Sequence, residues 1–128
     1  MLIACMALAS CKKNNRGMKL SGTYKGTFER KGGWGPLVSQ VTLNFNGNKF
    51  SGESSIEYYP AICNGTVSIN NNIASFDNAC AWPANFDWRL ILDREYDMYL
   101  NGDTLRLTRS DGGDIVVTID KYELIKQH

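Results

Sequence analysis

From Leu20 to the C-terminus apolar residues recur at every second position, and short pairs built on Asn, Asp and Gly interrupt the recurrence. A period of two is the pattern of strands with one buried face, because successive side chains point to opposite sides of a pleated chain. Leu20, Tyr24 and Phe28 form one series, Val41, Leu43 and Phe45 a second, and Phe50 and Ile56 a third. Asn46-Gly47, Asn71-Asn72, Asn101-Gly102 and Asp111-Gly112 place residues that tolerate positive φ between them, the chemistry of tight hairpins. No segment carries a helical period. The chain therefore reads as all-β, an antiparallel meander of about eight strands closing into a small barrel.

Taking those pairs as loops fixes a trial register. Around Asn46-Gly47, Leu43 faces Phe50 and Val41 faces Gly52, with the apolar residues on one side. Around Asn101-Gly102, Met98 faces Leu105, Tyr96 faces Leu107, and Asp97 meets Arg106 on the outer side. A three-residue loop at Asp111-Gly112-Gly113 puts Ile115, Val117 and Ile119 on the core face, with a bulge expected near Lys121, where the alternation shifts to Tyr122 and Leu124. Around Asn71-Asn72, Val67 opposes Phe76 and Cys63 opposes Cys80. A non-hydrogen-bonded pair brings Cα atoms to about 4.5 Å, within disulfide range, so Cys63–Cys80 is the expected bridge, with two buried free thiols as the alternative.

The N-terminus has a different character. An apolar run closes on Leu8-Ala9-Ser10-Cys11, which resembles the lipobox of bacterial lipoproteins. The resemblance implies cleavage before Cys11, acylation of Cys11 and attachment to a lipid bilayer. Residues 1–10 are then a signal peptide containing the discarded Cys5, residues 11–19 a lipidated cysteine and cationic tether, and residues 20–128 the domain. A start at Met18 would instead give an unlipidated chain. The expected location is the cell envelope, as an outer-membrane lipoprotein facing the periplasm, because the residues after Cys11 are basic rather than acidic. That compartment also permits a disulfide.

Gly22-Thr23-Tyr24 resembles the G-x-W signature that opens lipocalins and related calycin barrels, with Tyr in place of Trp, and Tyr122–Lys126 is similar to the last strand of small lipoprotein barrels. The resemblance implies a barrel that holds a small apolar or amphipathic ligand. In size and layout the chain also resembles lysozyme-inhibitor lipoproteins, which implies an inhibitory or partner-binding role.

Function classes can be narrowed. Fourteen basic residues balance thirteen acidic ones, so no broad field for nucleic acid exists. The one histidine is terminal His128, and no nucleophile elbow, zinc helix, phosphate loop or dinucleotide fingerprint is present. Asp93, Glu95 and Asp97 alternate at strand spacing, too far apart for one cation, and read as a solvated face. A monomeric binding protein without catalytic residues, metal or cofactor is expected. Two sites compete. The trial register opposes Arg94 to Arg109 on the face of Tyr96, an anion or carboxylate site at one barrel mouth unless Asp111 or Asp114 neutralises the pair. The other site is aromatic: Trp34 in a glycine-rich loop, Tyr58 and Tyr59 before Pro60, and Trp82 in the following connection form a rim for an envelope protein or glycan, with Trp88 read as core. Small inward residues (Gly22, Gly26, Ser39, Gly52, Ser54, Gly65) predict a modest one-sided pocket opening toward the arginines.

Overall fold

The computed structural model describes residues 18–32, 37–112 and 117–128. Eight strands follow one another: β1 (Gly22–Lys31), β2 (Val38–Asn46), β3 (Lys49–Ser54), β4 (Asn64–Asn70), β5 (Ile73–Asn78), β6 (Arg94–Asn101), β7 (Thr104–Gly112) and β8 (Val117–Lys126). Each pairs antiparallel with the next and β8 returns to β1, so the meander closes into a barrel. A single 3-10 turn at Trp88–Leu90 is the only helical element among the described residues. Cys5, Cys11, Trp34, Asp114 and Ile115 lie outside the described residues.

The two ends of the barrel differ. At one end lie the chain entry to β1, the tight β2–β3, β4–β5 and β6–β7 turns, and the exit from β8; Leu20 is buried there. The other end carries the long β3–β4 and β5–β6 connections. Those two connections are joined to each other. Ala61 bridges Ile91 in parallel, with Ala61 N–H donating to the Leu90 carbonyl at 2.9 Å and Leu92 N–H to the Ala61 carbonyl at 2.9 Å. The Cys63–Cys80 disulfide links the same two segments. Pro60, Ala61, Ile91 and Leu92 are buried beneath this cap.

The expected turns need correction. The loops are Gly47-Asn48 and Gly102-Asp103, so Phe45 pairs with Phe50 and Met98 with Leu107. Both glycines have positive φ (65° and 61°) while the residues after them do not, which is the type II′ pattern with Gly first. The register moves by two, and an even shift keeps every side chain on its face. The expected Asp97–Arg106 contact is lost: Asp97 pairs with Thr108, and Arg106 joins Glu123 at 3.0 Å. Asn71 and Asn72 both have positive φ, as a type I′ turn requires, and the β4–β5 register is as expected.

β8 differs more. Gly112 pairs with Val117, five positions from the trial register. An odd shift exchanges the faces, so Val117 and Ile119 are 56% and 42% exposed while Thr118, Asp120, Tyr122 and Leu124 point inward. The inward series is unbroken, and no bulge is needed near Lys121.

Aromatic rings fill the interior. Phe50 meets Phe76, Phe76 meets Tyr96, Tyr96 meets Tyr122 and Tyr122 meets Phe28, with centroids 4.8–5.7 Å apart. Leu43, Leu105, Leu107 and Leu124 close the gaps. Three of the inward glycines sit hard against a neighbouring strand. A Cβ on Gly26 would lie 1.9 Å from the Glu123 carbonyl, and one on Gly65 would lie 2.0 Å from the Asp77 carbonyl. Gly26, Gly52 and Gly65 therefore mark close strand approach rather than open space.

Candidate functional site

The barrel wall turns polar as it approaches the capped end. Inward positions run from Phe28 to Arg30 on β1, from Val41 to Ser39 on β2, and from Tyr122 through Asp120 to Thr118 on β8. β1–β8 pairing sets Arg30 opposite Asp120, and β7–β8 pairing sets Arg109 there too. Arg30 grips Asp120 with two bonds, Nε to Oδ1 at 2.6 Å and Nη2 to Oδ2 at 2.8 Å. Its third nitrogen reaches the cap, 2.9 Å from Asp87 Oδ2. The Asp120 carboxylate holds the Arg30 guanidinium protonated well above its ordinary range.

Asp87 organises the cap above. It accepts from Arg89 N–H at 3.0 Å, capping the 3-10 turn, and from the Arg89 guanidinium at 2.9 and 3.1 Å. Those Arg89 bonds, with Arg30 adding to them, depress its carboxyl well below the usual range against the opposing effect of burial.

Arg109 is the second latch. Its guanidinium lies 5.1 Å above the Tyr96 ring, donates to Asp111 at 2.8 Å through Nε, and bonds the Asp93 carbonyl at 3.0 Å and the Arg89 carbonyl at 3.2 Å. The expected anion site is thus not assembled. Arg94 is exposed at positive φ (71°) and pairs with Phe76, two positions out of line with Arg109. Asp111 neutralises Arg109, as the alternative reading held. Tyr96 is buried in the core, and burial pushes its hydroxyl up to about 12. Burial also raises Tyr122 well above the ordinary phenol range, and its hydroxyl has no hydrogen bond of good geometry.

The aromatic candidates divide. Tyr59 is structural: its hydroxyl donates to the Leu37 carbonyl at 2.9 Å and accepts from Arg30 N–H at 3.2 Å, and its ring packs on Phe28. Tyr58 and Trp82 do come together, with Phe86 as a third partner. Tyr58 stacks on Phe86 at 4.3 Å, and Trp82 stands edge-on to both at 6.1 Å. All three are partly exposed. Asn78 orients Trp82 by accepting from its indole N–H at 3.2 Å while bonding the Cys80 carbonyl at 2.7 Å. Cys63 and Cys80 are disulfide-bonded as expected, with Cα atoms 6.3 Å apart rather than about 4.5 Å. Both lie just beyond the ends of β4 and β5, where ladder pairing no longer holds the chains together.

Trp88 corrects another expectation. It is 54% exposed, its indole N–H satisfied by the Pro83 carbonyl at 2.7 Å. The neighbouring sequence Asp87-Trp88-Arg89 forms a 3-10 turn, in which Asp87 and Leu90 turn to the barrel and Trp88 outward. The same end of the barrel exposes other apolar side chains. Five of the seven large exposed hydrophobics among the described residues, Leu37, Val38, Trp88, Val117 and Ile119, belong to the capped end. The acidic stripe is solvated as expected at Glu95 and Asp97, while Asp93 accepts from Asn78 N–H at 2.8 Å. No group of metal-ligating side chains occurs among the described residues.

Fold and site together define a small disulfide-braced antiparallel barrel with an aromatic-rich core, capped at one end by two joined connections. No family model, curated protein or solved structure matches the chain.

Proposed function

We propose that this protein is a bilayer-anchored envelope lipoprotein, a calycin-like barrel that acts as a rigid stand for a binding face at its capped end, and that the face docks on another envelope protein. The concentration of exposed large hydrophobics at one end, above a core of large buried side chains, carries this reading. Aliphatic Leu37, Val38, Val117 and Ile119, exposed at the same end of the barrel as Trp88, favour a protein surface over a glycan, because sugars stack on rings but gain little from aliphatic side chains. An anchor at Cys11 suits this arrangement. The chain enters at the end opposite the cap, and seven residue steps from Cys11 to Met18 allow at most about 25 Å of reach. The cap then faces away from the bilayer.

The test uses the protein purified from its own membranes and analysed by native mass spectrometry. A protein partner should accompany the wild type and Arg94→Ala, and be lost with Trp88→Ala. A small apolar molecule that stays bound through Trp88→Ala would overturn the face and restore a ligand-holding interior. Separately, Cys11→Ala should release the domain from the membrane fraction; retention would remove the anchor.

A further inference from the structure

We propose a carbohydrate-binding groove on the outer wall of β2, β3 and β4, independent of the capped end. The register builds it. Asn44 pairs with Ser51 and Ser51 with Asn64; two positions along, Asn46 pairs with Lys49 and Lys49 with Thr66. Two parallel rows of three polar side chains thus cross three strands. With strands about 4.8 Å apart and rows about 6.7 Å apart, the rows have the footprint of a disaccharide.

The wall is concave here. These residues line an open groove of about 430 Å³ together with Phe50, Gly65 and Ala79. β3 and β4 pair over only three residues, and Gly65 lets β4 sink against the Asp77 carbonyl and Phe50. The chemistry differs from that of the β7–β8 wall. Around β7 and β8 outward charges pair, as in Arg106–Glu123 and Lys121–Glu123, whereas no carboxylate lines the groove. Among the described residues Asn46, Lys49, Ser51 and Thr66 make no side-chain hydrogen bond or ion pair, while Asn44 accepts from Thr23 and Asn64 makes only a weak bond to the Cys63 sulfur. Amides and hydroxyls each offer donors and acceptors together, which matches the hydroxyls of a neutral sugar, and Lys49 adds a central donor.

The experiment is titration of the isotopically labelled protein with cellobiose, maltose and N,N′-diacetylchitobiose, read from the side-chain amide resonances of Asn44, Asn46 and Asn64. At least one sugar should give saturable shifts at all three. Asn46→Ala with Thr66→Ala should weaken it by about tenfold or more, from loss of two hydrogen bonds. Ser51→Glu, at an exposed strand position that tolerates charge, should block the centre of the groove and abolish the shifts, while Trp88→Ala should leave them intact. Absence of saturable shifts with every sugar would overturn the groove, as would binding that Trp88→Ala removes and the Asn46–Thr66 double variant does not.

Discussion

Asp120→Leu isolates the energetics of the capped end. Asp120 is 1% exposed and Arg30 8%, and two bonds of 2.6 and 2.8 Å join them. Removing one member of such a pair costs about 3–5 kcal/mol, because the survivor is left charged and buried. Arg30 keeps Asp87 at 2.9 Å, and Asp87 is partly exposed, so the loss should fall near the lower figure, about 3 kcal/mol. With a urea m-value of about 1.5 kcal/mol/M, the midpoint of oxidised protein should drop by about 2 M. Arg30→Met combined with Asp120→Leu removes both charges and leaves two apolar side chains of similar volume. That double variant should recover to within about 1 kcal/mol of wild type, since a buried pair contributes little beyond what an apolar pair of its size would. The opposite sign of the second substitution in the two backgrounds is the diagnostic. Equal stability of the single and double variants, or a single-variant loss below about 1 kcal/mol, would refute the reasoning.

Three further outcomes follow from the structure. Because burial lifts Tyr96 to about 12 against about 10 unfolded, its contribution is complete below about pH 10 and is lost as pH rises through the folded value; the last part of the tyrosinate absorbance should therefore appear together with loss of circular dichroism, and Tyr96→Phe should move that transition to higher pH. Gly26→Ala should cost at least about 2 kcal/mol, since its Cβ would meet Glu123 backbone on a strand that cannot yield, whereas Gly47→Ala, with open space but φ of 65°, should cost about 1 kcal/mol; equal losses in thermal denaturation would contradict this assignment of the two glycines. Cys63→Ser with Cys80→Ser releases a link spanning 17 residues and should lower stability by about 3 kcal/mol, measured in urea without reductant.

Period-two alternation carried the architecture, and the cysteine pairing was legible because Asn71-Asn72 leaves only one plausible loop. The glycine turns were read one residue early, since Asn-Gly satisfies type I′ while the same Gly can open a type II′ turn with the residue after it. That ambiguity preserves faces and so was harmless to the core, but it created the false opposition of Arg94 and Arg109. β8 was misread for a deeper reason. Its inward positions include Thr118 and Asp120, so the hydrophobic pattern favoured Val117 and Ile119 instead. The Asp120–Arg30 pair is 90 residues apart in sequence and becomes visible only when the barrel closes. Trp88 escaped because a large aromatic beside a strand resembles core unless the 3-10 turn that points it outward is known.

The same polar interior bears on how the capped end works. An apolar plug would cover the mouth of the barrel as well as Arg30, Asp120 and Arg109 do, and with less desolvation. What an apolar plug lacks is direction. Arg30 reaches Asp87, and Arg109 reaches the carbonyls of Arg89 and Asp93, so two rigid strands hold the β5–β6 connection at three defined atoms. Asp87 and Arg89 hold the turn that carries Trp88, and the Pro83 carbonyl holds its indole N–H, while the ring stays exposed. The disulfide and Asn78 do the same for Trp82. An exposed aromatic that is already immobile loses little entropy when a partner covers it, whereas a ring on a free loop would lose much more. The buried charges therefore act chiefly through the cap, which is why the Arg30→Met, Asp120→Leu double variant should keep the stability of the barrel and still weaken recognition at Trp88.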